Sequence, residues 1–183
     1  MKKTVASFIL FLFIAFAAEA QDFGYTTTDA GLEYQWNPDG ATVNLQFAFN
    51  SKIHNSFLIR AGYNKVPLKS SSLHTGEEGN GWGGSLGYRY YFNVVPRRFY
   101  IGSRMDLWSM NIHYSTTVKE GSSKLTILQP GMEAGFTLLI NEVLFITPYI
   151  NAGKQITLNT RGDNVDYGQG FIPSAGISAG FRF

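Results

Sequence analysis

The chain ends in "FIPSAGISAGFRF", residues 171–183. Phe171, Ala175, Ile177, Ala179, Phe181 and Phe183 fall on one parity; Ser174, Gly176, Ser178, Gly180 and Arg182 fall on the other. Alternation of period two marks a strand with one oily and one polar face. The last side chain is an aromatic with the terminal carboxylate directly behind it, so a strand that stops there needs a partner strand to close on. The same alternation recurs upstream, and no stretch after the first 20 residues sustains a helical period. It predicts eight strands: 30–37, 41–50, 56–66, 81–92, one beginning at 99, 124–140, 144–160 and 171–183. Turn-forming stretches separate them: "NPDG" at 37–40, "SKIHN" at 51–55, "PLKSSSLHTGEEGN" at 67–80, "NVVPRR" at 93–98, "VKEGSS" at 118–123, "NEV" at 141–143 and "RGDNVDYGQG" at 161–170.

One face is oily in strand after strand. Leu32, Tyr34 and Trp36 begin it, Val43, Leu45 and Phe47 continue it, and Ile101, Met105, Leu107, Leu128, Met132, Ile146 and Ile150 carry it on. The opposite face holds Gln35, Asn44, Gln46, Asn64, Ser85, Gln129, Thr137, Thr147, Asn151 and Gln155, with glycines such as Gly83, Gly135 and Gly176. Its ions are of both signs: Glu33, Arg60, Arg89, Arg104, Asp106, Glu133 and Arg182. A water-facing surface should be rich in Lys and Glu, and this face is not. Small polar residues and mixed charges suit a crowded lumen, where ions must pair because unpaired burial is costly. The fold class expected is therefore all-β, a closed antiparallel eight-stranded transmembrane barrel with oily residues turned to lipid.

Aromatics sort by height. Phe47, Phe49, Phe57, Tyr90, Phe92, Phe99, Tyr100, Phe145, Phe181 and Phe183 lie beside the even connections; Tyr34, Trp36, Tyr63, Trp82, Tyr114 and Phe171 lie near the odd ones. Two aromatic belts around an aliphatic band are what two membrane interfaces select. The even connections are short and the odd ones mostly longer, the asymmetry of outer-membrane barrels with both ends in the periplasm.

Composition agrees. Lys2 and Lys3, the apolar run 5–18 and the small-x-small site Ala18-Glu19-Ala20 read as a secretory signal peptide over 1–20. Cleavage there leaves the last 163 of 183 residues, 21–183, as one barrel domain. Losing two lysines and one glutamate moves the formal charge from +2 to +1, which argues against a nucleic-acid partner. There is no cysteine, so neither a disulfide framework nor a thiolate metal site is expected. Charged residues are only 15% of the chain and aromatics equal them at 15%, an unusual balance for a water-soluble fold.

On these features the chain resembles the small eight-stranded outer-membrane barrels, the OmpA/OmpX-like and OmpW-like group. The resemblance implies an outer-membrane location in a Gram-negative cell and contact with outer-membrane lipid and lipopolysaccharide. It also implies that Phe181 and Phe183 form an assembly signal read by the barrel-insertion machinery. The pattern usually carries Gly five residues before the final Phe, where this chain has Ser178.

Motifs for chemistry are sparse. An eight-stranded barrel is just wide enough for side chains to fill, so the lumen ions read as a structural cluster. His113-Tyr114-Ser115 puts a His and a Ser on one strand face and looks like the His-x-Ser of outer-membrane lipid A deacylases. Thr116 stands where those enzymes usually have Asn, and three strands follow the motif. Glu120 is the only nearby downstream acid. No catalytic residue is assigned. His54 and His74 lie in connections on opposite sides, so no metal site is expected. Arg161-Gly162-Asp163 is a short loop motif with a high chance rate. "GWGGSLG", 81–87, lacks the Lys and following helix of a phosphate loop, and no cofactor is expected. The expected role is structural or surface-interacting, with possible ligands at the outer loops and a side-chain-filled lumen. The alternatives are a channel for small apolar solutes and, less favoured, a lipid A-modifying enzyme.

Overall fold

A computed structural model describes residues 25–51, 54–69, 76–93, 97–115, 120–162 and 170–183. The signal-peptide expectation over 1–20, His74 and Asp163 lie outside them. Eight strands are present: β1 Tyr25–Asn37, β2 Gly40–Ser51, β3 Asn55–Lys69, β4 Gly76–Tyr91, β5 Arg98–Ser115, β6 Glu120–Ile140, β7 Leu144–Arg161 and β8 Gly170–Arg182. Each pairs antiparallel with the next, and β8 returns to β1, so the sheet is a closed barrel. The closing seam runs from Asp29↔Arg182 to Trp36↔Ala175. Its last rung is Phe183, whose backbone exchanges hydrogen bonds with Thr28 at 3.0 and 2.9 Å. The terminal aromatic is thus tied into the seam, with its ring outside and 77% exposed.

The turns follow from residue chemistry. Asn37 accepts the Asp39 N–H at 2.8 Å, an Asx turn between β1 and β2. Asn141 and Glu142 have φ of 51° and 60°, as a type I′ turn needs, and join β6 to β7. His54, with φ of 55°, has Nδ1 2.8 Å from the Tyr91 carbonyl oxygen, and its ring stacks on Tyr90 at 5.4 Å.

Several expected boundaries move. β3 runs to Lys69 and β4 starts at Gly76, so 67–69 and 76–80 of the stretch read as a 67–80 loop belong to strands. β6 begins at Glu120 rather than 124, and β1 at Tyr25 rather than 30. Polar composition suggested loops there; ladder pairing with β5 and β2 holds these residues extended. The result is uneven height: β1 and β2 have 13 and 12 residues, β5 and β6 have 18 and 21. The β3–β6 side stands above the rest at the rim far from the termini.

Three aromatics expected in the belts are inside instead. Tyr100 and Phe145 are each 1% exposed and Tyr114 is 6%. The physical reason is strand parity, with a glycine opposite each ring: Tyr100 faces Gly135, Phe145 faces Gly180 and Tyr114 faces Gly121 across the ladder. Rings of the remaining belt residues, including Trp36, Trp82, Phe92, Phe99, Phe171 and Phe181, are on the outside.

Candidate functional site: a lumen filled in two layers

Alternation sends β5 residues Tyr100, Gly102, Arg104 and Asp106 inward and Phe99, Ile101 and Leu107 outward. In this half of the barrel, nearer the termini, the inside is polar. Glu133 on β6 takes a hydrogen bond from Arg89 Nε at 2.6 Å, and Arg60 Nη2 lies 3.3 Å from its other oxygen. Arg104 Nη1 stands 3.8 Å from the same carboxylate. Glu33 on β1 accepts from Asn44 at 2.8 Å and lies 2.9 Å from Arg60 Nε and 3.9 Å from Arg104 Nη2. Arg104 Nε donates to Asp106 at 3.0 Å. Three guanidinium groups and three carboxylates, all buried, thus share one neutral network spanning five strands.

Glycine makes the network reachable. Gly102 sits in the rung between Arg89 and Glu133, so the arginine crosses a residue with no side chain to meet its acid. A second rung runs Tyr91, Tyr100, Gly135, Tyr149, Gly176, Gln35. Tyr149 lies across Gly176 and donates to Gln35 Oε1 at 3.1 Å. The Tyr100 ring receives the Arg89 guanidinium at 4.5 Å, a cation–π contact away from water.

Of the seven ions singled out in the sequence, Glu33, Arg60, Arg89, Arg104, Asp106 and Glu133 meet in this network. Arg182 does not join it. It forms a bidentate pair with Asp29, at 2.6 and 2.7 Å, beside the seam near the termini. Asp29 escaped notice because the first strand was drawn from residue 30. Tyr100 and Tyr149 escaped it because inward aromatics were not looked for.

Above this layer the polarity reverses. Val66, Trp108, Met110, Ile112, Tyr114, Leu125 and Ile127 all point inward and form one buried apolar cluster, none more than 6% exposed. Outside them, Lys65, Glu78, Asn80, Ser109, Asn111, His113, Ser122 and Lys124 are exposed. Gly79, Gly81 and Gly83 on β4 lie opposite Ile112, Met110 and Trp108 on β5. A Cβ at any of the three would overlap the facing side chain. The glycine-rich "GNGWGG" is the trough into which this apolar seal packs. The signal was present in "LWSMNIHY", where the oily parity changes sides after Leu107 while the period stays at two.

His113 is exposed on the outside of β5. Ser115 shares its parity, and Tyr114 between them turns inward. Arg161 and Gly162 are exposed at the end of β7. Phe181 and Phe183 stand outside at the rim near the termini, 54% and 77% exposed. His113 and His54 lie toward opposite ends of the barrel, and among the described residues no cluster of His, Cys, Asp or Glu could hold a metal.

Solved structures share this architecture. Ail, the attachment invasion locus protein of Yersinia pestis, superposes with a TM-score of 0.52 at 10% identity, over 86% of this chain and 95% of Ail. The N-terminal β-barrel domain of Pseudomonas aeruginosa OprF gives a TM-score of 0.50 at 12% identity, over 87% of this chain and 98% of that domain. No protein-family model matches the chain, nor does any curated protein sequence. At these identities the likeness is one of fold: the chain has the fold of the small eight-stranded outer-membrane barrels.

Proposed function

We propose that the chain is an integral outer-membrane protein with a closed lumen, acting as a structural and surface-contact element rather than a channel. The reversal of polarity at one height carries this reading. Below it, oily side chains face outward over residues 99–107 on β5 and 171–181 on β8, about the 9–11 residues a tilted strand needs to cross a bilayer. Above it, on β3–β6, an apolar cluster turns inward beside buried Asn64, Glu77 and Ser123, and most outward side chains are polar, the arrangement of a protein standing in water. The far rim is then the outer one, and the β3–β6 extension with its loops is the surface offered to lipopolysaccharide or another ligand. Residues 1–20 would direct export, and Phe181 and Phe183 would be read by the assembly machinery. Ail, an attachment invasion locus protein, supports a contact role by analogy of fold alone.

Two layers block the lumen in series, an ion network and an apolar seal. A hydrophobic constriction excludes ions by dewetting. Purified protein in planar bilayers should therefore give no reproducible conductance steps. Stable steps that persist at low voltage would overturn the closed-lumen reading and favour transport.

A further inference from the structure

The outward face is not evenly covered. Between β5, β6 and β7, in the half nearer the termini, a groove of about 690 Å³ opens toward the lipid side. Its floor is low because Ala134 and Pro148 stand where neighbouring positions carry large side chains, and its walls are Phe92, Phe99, Ile101 and Phe136. The surface exposed within it is almost wholly apolar. The β5–β6 ladder is continuous along its floor, and the β6–β7 ladder lapses only beside Pro148, which has no N–H to offer, so the groove offers van der Waals contact to an alkyl chain and little to a polar group.

Arg97 and Arg98 immediately precede Phe99 at the rim, both exposed; Arg97 shares the outward parity of Phe99, and Arg98, with φ of 66°, stands opposite Thr137. Among the described residues neither has an ion-pair partner. Of the acids at this rim, Asp29 is held by Arg182, and Glu142 is exposed in the turn that joins β6 to β7. Two cations next to the Phe99 wall of an apolar trough match a molecule with an anionic head and a hydrocarbon tail. Guanidinium forks bind phosphate oxygens bidentately.

We infer that this groove and Arg97–Arg98 form a binding site for one anionic phospholipid of the inner leaflet. The acyl chain lies over Ala134 and Pro148, and the headgroup phosphate meets the arginines at the interface. The inference rests on the outer-membrane reading and adds to it a preference among lipids.

The test uses the full mature chain purified in detergent, with phosphatidylglycerol and phosphatidylcholine of identical acyl chains, read by native mass spectrometry. Wild type should retain phosphatidylglycerol in preference. Arg97→Gln with Arg98→Gln should weaken that preference by about five-fold for each charge removed, the effect of one basic residue near an anionic surface. Ala134→Phe, which fills the groove from outside, should lower retention of both lipids while leaving the charge preference in place. Heat-shifted gel migration checks that each variant is folded. Equal retention of the two lipids by wild type would overturn the site, as would an unchanged preference in the double arginine variant. Dimers in place of lipid adducts would reassign the groove to a second copy. A chain that stayed soluble and monomeric without detergent would instead sink the outer-membrane reading beneath it.

Discussion

Glu133 faces three guanidinium groups inside the barrel, from Arg89, Arg60 and Arg104, at 2.6, 3.3 and 3.8 Å. Its carboxylate and those of Glu33 and Asp106 leave the network neutral, so neutralising it strands a buried positive charge. Breaking one side of a buried ion pair costs about 3–5 kcal/mol, mostly as the penalty on the partner left behind. Glu133→Gln should lower the urea midpoint of unfolding from detergent micelles by a corresponding amount without changing the slope. Adding Arg89→Gln should restore part of the loss, since one surplus cation then leaves with the lost anion. A single variant as stable as wild type would mean the ions are held independently. These residues were legible because strand parity alone decides which face a side chain takes. Who pairs with whom was not legible. That depends on which strands lie opposite and on Gly102 leaving a gap, and Asp29 became a partner only once β1 extended past its apparent start.

Strands in this barrel are matched in width as well as in polarity. Tyr149 lies on Gly176, Tyr114 on Gly121 and Trp108 on Gly83, each pair directly opposite in the ladder. At Gly176, as at Gly121, the nearest atoms an added Cβ would meet belong to the facing tyrosine ring, so the fit can be tested there. Gly176→Val should destabilise by about 1–3 kcal/mol, the usual cost of overpacking, and should break the Tyr149–Gln35 hydrogen bond. In a Tyr149→Ala background the same substitution should cost little, because the ring it displaces is gone. Additive costs from the two changes, in denaturant melts, would show that the glycine serves backbone geometry instead. In the sequence the inward glycines were simply small members of the polar face. The missing step was to ask what stands across from each one. Parity already placed Tyr91, Tyr100, Phe145 and Tyr149 inside, yet sorting aromatics by their distance from turns put Tyr100, Phe145 and Tyr114 on the belts. Position along a strand sets height; only parity sets face.

For the whole molecule, strand number, strand order and the inside-out lower half were legible in the alternation, and the protruding upper half was not. A rule of one face oily and one polar holds for each strand only if the surroundings are uniform along it. On the proposed reading β5 passes from lipid to water at about Leu107, with the apolar parity moving from outside to inside while the period stays the same. The boundary can be located because the chain has no cysteine, so each introduced thiol is the only one. With intact cells and a membrane-impermeant maleimide, Ser109→Cys, Asn111→Cys and His113→Cys should label readily, being outward and above the membrane. Ile101→Cys and Leu107→Cys, outward but within the lipid band, should resist. Met110→Cys tests the seal independently: it stands level with the reactive positions but points inward at 0% exposure, so it should resist as well. A reactive Leu107→Cys would lower the membrane boundary, and a reactive Met110→Cys beside intact folding would show the mouth open to water. Only the combination of a step along the outside between 107 and 109 and silence at 110 fits a barrel that is oily outside below the line and oily inside above it.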